Sequence, residues 1–201
     1  MKRVFYFPFL PGHHYNSDMA KALTTQELRA TKINREEFKK IERNKIVLFL
    51  DRLLNNHNLG AILRVADAGL VEKVLSFDAL ARIDGKKALA TAKGVAEWVP
   101  HEMVTDGLSV LKSYKAQGYK LLALELCDDS VVYYDSILSE KTVLIIGSEL
   151  TGVSAEFLEL ADQRIYIPMA GMANSLNVAT ATSIALFDLL RRKTQGKSQS
   201  K

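Results

Sequence analysis

The sequence predicts an α/β protein: a mostly parallel sheet with helices on both faces. Three observations lead there. Short, continuous apolar runs such as Ile46-Val47-Leu48-Phe49-Leu50 are what strands buried on both faces require. These runs alternate with segments of helical apolar spacing, and that alternation implies parallel pairing under helical cover. Gly, Asn, Ser and acidic residues gather where the predicted strands end, at 51–58, 124–129, 147–152 and 168–177. Ligands of such folds bind beyond the carboxyl ends of the strands, so these segments mark the expected site.

Each element has its own signal. Residues 24–43 read as one or two polar helices, with a helix start at Thr24-Thr25-Gln26-Glu27 and a capping box at Asn34 and Glu37. A strand over 46–50 is followed by a helix over 58–69, where Leu59, Ile62, Leu63, Val65 and Ala66 keep helical spacing and Gly69 is the stop. A strand at 74–77, a helix at 105–117 closed by Gly118, and strands at 120–126 and 142–146 come next. A helix at 154–161, a strand at 164–167 and a long final helix over 174–192 complete the pattern. This gives a helical arm over 1–44, a globular domain over 45–192 and a tail over 193–201. The tail is rich in Lys, Ser and Gln, so disorder is expected there.

Size and composition set limits. A chain of 201 residues suits one domain with an arm, and 48% apolar residues suffice for a core. No apolar run reaches the length of a membrane span. The run at 4–10 follows Lys2 and Arg3, but it is short, is broken by Pro8 and lacks a small-residue cleavage site, so no signal peptide is expected. Its aromatic residues Tyr6, Phe7 and Phe9 suit packing onto the core or a partner subunit better than base stacking. Cys127 is the only cysteine, which leaves no internal disulfide and no zinc site and points to the cytoplasm. Cys127 itself reads as a buried strand residue.

Charge is unevenly spread. Residues 1–45 carry net +5, residues 46–190 net −6 and the last 11 residues net +5. Basic ends on an acidic middle suit a polyanionic partner held by the ends, or are simply solvated termini.

Three constellations carry chemistry. In Asn58-Leu59-Gly60-Ala61-Ile62-Leu63-Arg64, Gly60 allows close backbone approach, and Arg64 lies among apolar neighbours. An unpaired guanidinium there is costly, so Arg64 needs a carboxylate, a phosphate or another subunit. The alternative is a capping Asn58 with a snorkelling Arg64. In Gly147-Ser148-Glu149-Leu150-Thr151-Gly152, a strand-end loop carries an acid instead of a Walker lysine. It suits a neutral or cationic ligand, or is an ordinary turn with a solvated Glu149. In the segment from Ile167-Pro168-Met169 to Ser175-Leu176-Asn177-Val178, a cap explains one of Asn174 and Ser175, but not Gly171, Ala173, Ser175 and Asn177 together.

Together the three motifs resemble those of the SpoU/TrmH family of RNA ribose methyltransferases, in the SPOUT superfamily. They stand in the family's order, and the resemblance covers roughly residues 45–190. Leu150-Thr151 departs from it, since many members have a small residue after the acid. The resemblance implies an α/β sheet whose C-terminal part forms a deep trefoil knot, which no pattern of periodicity would suggest. It implies S-adenosylmethionine as cofactor, held largely by the backbone of Leu124, Gly147, Ile167 and Leu176, with Met169 in the same set. No metal is implied. It implies a homodimer whose sites are each completed by the other chain, and methyl transfer to a ribose 2′-hydroxyl. Arg64 would bind the adjacent phosphate and polarise the hydroxyl, because arginine is a poor base. Asn58, Glu149, Ser175 and Asn177 would position Arg64, ribose and cofactor. A compact enzyme with short basic extensions resembles the tRNA-modifying members more than those with a separate domain for ribosomal RNA. Methylation of rRNA, and a non-catalytic RNA-binding knot protein, are the alternatives.

Overall fold

In the computed structural model, which describes residues 22–82, 86–92 and 94–198, the chain divides into two compact units after Glu42. The first unit contains helices α1 (Thr25–Ala30) and α2 (Arg35–Lys39). Both begin at the expected caps. Thr24 and Glu27 form a reciprocal capping box, and the Asn34 side chain accepts from Glu37 N at 2.9 Å. Neither the run at 4–10 nor residues 199–201 lie among the described residues.

The second unit contains strands β1 (Asn44–Asp51), β2 (Val71–Phe77), β3 (His101–Val104), β4 (Lys120–Leu124), β5 (Val131–Val132), β6 (Thr142–Ile146) and β7 (Gln163–Tyr166). It also contains helices α3 (Asn56–Ala68), α4 (Lys86–Ala92), α5 (Gly107–Ala116), α6 (Ala155–Leu160) and α7 (Val178–Ser198). The strands form one parallel sheet in the order β3-β2-β1-β6-β4-β7-β5. The expected parallel α/β architecture is therefore present.

Strand alternation sorts side chains to the two faces. Ile46, Leu48 and Leu50 point into a core shared with Leu59, Ile62 and Leu63 of α3 and Leu186 and Leu189 of α7. Val47 and Phe49 point the other way, towards Leu111 of α5 and Phe157 of α6. Phe157 packs edge-on against both Phe49 and Phe77, with ring centroids 5.2 and 5.4 Å apart. From Ile46 to Leu50 both faces of β1 are fully buried, which is why the apolar run there is continuous.

Several expectations need correction. Strands β3 and β5 and helix α4 were not foreseen. The final helix begins at Val178, not at 174, and the expected disordered tail is helical through Ser198. Lys193 shows why: it is 8% exposed, and its ammonium donates to the Glu140 carbonyl at 2.8 Å. Gly69 does end α3, but not through a left-handed turn. Its φ is −87°, while Leu70 carries the positive φ of 46°. A Cβ at Gly69 would meet Leu186 Cδ2 at 3.0 Å and Leu190 Cδ1 at 3.1 Å, so the glycine admits α7. Gly60 likewise faces a helix: a Cβ there would lie 2.5 Å from the Ala88 carbonyl of α4.

Candidate active site

Strands β1, β6, β4 and β7 are consecutive neighbours, so the segments that leave their carboxyl ends share one edge of the sheet. Residues 52–55 lead from β1 into α3. Asn55 caps that helix, accepting from His57 N at 2.8 Å. Asn58 is therefore not the cap. It sits within the first turn, 7% exposed, and its side chain is free to reach other segments.

It reaches two of them. Asn58 Nδ2 donates to Glu149 Oε1 at 2.8 Å, and Asn58 Oδ1 accepts from Asn177 Nδ2 at 3.0 Å. Glu149 also accepts from Leu54 N at 2.9 Å and Asn55 N at 3.2 Å. Asn177 Oδ1 in turn accepts from Ala179 N at 2.9 Å, which makes Asn177 the cap of α7. A carboxylate can only accept, so it fixes the orientation of the Asn58 amide, which fixes that of Asn177. One hydrogen-bonded chain thus joins the three segments that the sequence singled out.

Glu149 is tethered, not freely solvated. Partial burial pushes its carboxyl up, but the bonds from Leu54 N, Asn58 and Asn55 N outweigh this and hold it below the ordinary carboxylate value. A carboxylate depressed in the folded state stabilises the fold above its unfolded pKa. That contribution is lost as pH falls through the folded pKa. The difference in urea midpoint between the protein and Glu149→Gln should therefore be greatest at neutral pH and close below about pH 4. A difference that stays constant down to pH 3 would show that the charge contributes nothing.

The loop that carries Glu149 is tightly closed. Ser148 and Gly152 exchange backbone hydrogen bonds, both 3.0 Å. A Cβ at Gly147 would lie 2.2 Å from the Gly152 carbonyl carbon and 2.3 Å from Val153 N. The close approach at Gly147 is thus to its own loop. Leu124 pairs with Ile146 on one side and Ile165 on the other, which puts Leu124, Gly147 and Ile167 along adjacent strand ends. Met169 and Leu176 lie on the segment from β7 to α7 with Ser175, which is exposed. The same edge leaves apolar side chains in the open: Leu126 is 69% exposed, Leu150 81% and Met172 fully. The three loops 125–130, 147–154 and 167–177 contain no Lys or Arg. This environment suits an apolar ring and a positive or neutral group, and disfavours a polyphosphate.

Arg64 is not brought to this cluster within the chain. Six helical residues from Asn58 turn it about 240° round α3 and carry it about 9 Å along the axis. It is exposed, and among the described residues it makes no hydrogen bond or ion pair. Of the partners that the sequence allowed, no carboxylate among the described residues pairs with it. Sequence reasoning also missed Asp51 and Glu125, whose carboxylates bind the 147–154 loop. An acid at the end of each apolar strand was the available signal.

A parallel sheet with a polar cluster and exposed apolar side chains along its carboxyl edge is the layout of a ligand-binding α/β enzyme. The model of the SpoU rRNA Methylase family matches residues 45–187, and the chain belongs to that family. It is 38% identical over 164 residues to the tRNA (guanosine(18)-2'-O)-methyltransferase of Aquifex aeolicus, covering 80% of this chain and 75% of that protein. It is 32% identical over 184 residues to the 23S rRNA (guanosine-2'-O-)-methyltransferase RlmB of Haemophilus influenzae, covering 90% and 73%. Among solved structures, the A. aeolicus TrmH/SpoU tRNA modifying enzyme superposes with a TM-score of 0.71 at 34% identity, covering 82% of this chain and 83% of that one. An AdoMet-bound rRNA methyltransferase from Sinorhizobium meliloti superposes at 0.70 with 28% identity, covering 77% and 60%.

Proposed function

We propose that this chain is an S-adenosylmethionine-dependent RNA methyltransferase acting on a ribose 2′-hydroxyl, with tRNA as substrate. The observation that carries the reading is the Asn177–Asn58–Glu149 chain, which ties the three motif segments together at the strand ends. S-adenosylmethionine supplies a methyl group activated on a sulfonium. The loops, which lack Lys and Arg, carry acidic residues and leave Leu126, Leu150 and Met172 exposed, fit that group. Leu124, Gly147, Ile167 and Leu176 would hold it by their backbone, and Met169 would pack beside it. The depressed carboxyl of Glu149 keeps a negative charge at the site, which suits a sulfonium and repels phosphate.

The hydroxyl must give its proton up to solvent as its oxygen takes the methyl, and breaking the sulfur–methyl bond would leave a neutral thioether. Arg64 stays protonated, so its part is to bind the neighbouring phosphate and polarise the hydroxyl through it. Because Arg64 faces away from Asn58 in its own chain, it serves the site of a second copy in a homodimer. Asn58, Glu149 and Asn177 fix the segments that flank the ribose, and Ser175, exposed beside them, contacts it. The insertion of β6 between β1 and β4, and of β7 between β4 and β5, with α7 returning to α3, supports a C-terminal trefoil knot. Among the described residues no helix is long and apolar enough to cross a membrane, in keeping with a cytoplasmic enzyme. Exposed Arg29, Lys32, Lys39 and Lys40 give the first unit the charge to hold RNA phosphates.

The tRNA reading rests on the A. aeolicus relative. The 23S rRNA enzymes, of which RlmB of H. influenzae matches 90% of this chain, support rRNA as the second reading. Transfer of labelled methyl groups to purified unmodified tRNA and rRNA separates the two. Label in tRNA at a ribose 2′-oxygen is expected; label in rRNA alone would reverse the choice.

A further inference from the structure

Strand β6 lies between β1 and β4, and each of these neighbours ends in a carboxylate: Asp51 on β1, and Glu125 just past β4. Both reach across to the loop that leaves β6. Glu125 Oε2 accepts from Val153 N at 3.0 Å, and its other oxygen accepts from Leu126 N at 3.0 Å. Asp51 Oδ2 accepts from both Ser154 N and Ser154 Oγ, each at 2.7 Å. Asp51 Oδ1 accepts from Arg52 Nε at 2.9 Å, and Arg52 Nη2 reaches the Gly152 carbonyl at 3.4 Å.

These are built contacts. Asp51 is fully buried, and a buried charge persists only when paired and hydrogen-bonded. Arg52 holds a φ of +53°, a left-handed conformation disfavoured for a side chain with a Cβ, while its guanidinium pairs with Asp51. Gly152 has a φ of +64°, and a Cβ there would lie 2.1 Å from Glu125 Oε2. Glycine at 152 is what lets the Glu125 carboxylate sit against the turn. Bonds from backbone N–H to a carboxylate are short and directional, so they fix the loop and do not merely crowd it.

The loop is thereby held from both sides at its exit, while Glu149 holds its tip. Gly147 stands against Gly152 and Val153, so the clasp at 152–154 sets where the Gly147 backbone lies. We infer that Glu125 and Asp51 are positioning residues, a two-sided clasp that keeps the Gly147 backbone in place for the cofactor. This rests on the reading above, in which Gly147 holds S-adenosylmethionine.

The test compares Glu125→Gln, Asp51→Asn, Ser154→Ala and Ser154→Thr in the full-length protein. It reads steady-state kinetics for cofactor and RNA, and amide hydrogen exchange across 147–154. Glu125→Gln is expected to raise the KM for cofactor about tenfold, leave the KM for RNA within about twofold, and speed exchange in the loop about tenfold. Ser154→Ala should act in the same direction, and Ser154→Thr, which keeps the hydroxyl, should restore the parent values. If Asp51→Asn fails to fold, Glu125→Gln and Ser154→Ala still decide the matter. Unchanged loop exchange in both variants would overturn the clasp. So would equal rises in both KM values with a lowered Tm, because that pattern marks a purely structural role. A parent protein that transfers no methyl group would instead sink the proposed function, and loop exchange would still judge the clasp.

Discussion

Arg64→Ala is expected to lower turnover by about 10²–10³-fold, the usual cost of removing one donor aimed at developing charge. Cofactor affinity, read by calorimetry, should stay within about threefold, because Arg64 makes no hydrogen bond or ion pair within its chain to the loops proposed to hold the cofactor. The side chain is exposed and makes no bond within the described chain, so its loss leaves no orphaned carboxylate and costs little stability. Equal loss of cofactor binding and turnover would mean that Arg64 is structural.

Subunit mixing tests the geometry. In a mixed dimer of Arg64→Ala and Glu149→Gln chains, a site served by the partner's arginine has one intact copy of each group. Glu149→Gln loosens the tie to Asn58 and is expected to lose turnover as Arg64→Ala does, so random mixing of the two variants should restore about a quarter of parental activity, as half the dimers are mixed and each has one good site. If Arg64 serves its own chain, every site in the mixture keeps one defect. Mixing would then restore nothing, and the homodimeric site would be ruled out.

The second large effect belongs to Gly147→Ala. The new methyl group would sit 2.2 Å from one backbone carbon and 2.3 Å from a backbone nitrogen, and neither can swing aside as a side chain does. The Ser148–Gly152 bridge must open instead. Opening it displaces Val153 from Glu125 and Glu149 from Asn58. Cofactor affinity is expected to fall at least about 100-fold, with about 1–3 kcal/mol of stability lost, as for other overpacked sites. Calorimetry with S-adenosylmethionine and urea denaturation measure the two. Unchanged affinity would show that the cofactor does not depend on this loop.

Strands such as β1 and β6 were legible because both of their faces are buried, so every residue from Ile46 to Leu50 and from Val143 to Ile146 is apolar. β3 was not, because it is an edge strand that leaves Glu102 and Met103 exposed and so shows no apolar run. β5 has two residues, too few to show a period. Helix α4 reads KKALATA, an alanine-rich stretch with little contrast between its faces. At the last helix, Asn174 and Ser175 looked like caps, yet Asn177 is the cap, and it also bonds Asn58. Local sequence offered Asn174 and Ser175 as caps and did not point to Asn177.

By itself the sequence determined the class of sheet, the four segments at its working edge, and the residue types gathered there. It also singled out the segments that carry Asn58, Glu149 and Asn177, but capping and solvation remained open for these side chains, and their place in a site came from the resemblance of the three motifs taken together. The tertiary structure alone decided how they meet. The partners of Asn58 lie 91 and 119 residues away along the chain, and only the order of strands in the sheet brings them within hydrogen-bond reach. The same holds for the direction of Arg64, which helix geometry turns away from its own cluster. Residue type is written in the chain, whereas the pairing of distant groups follows from which strands lie side by side.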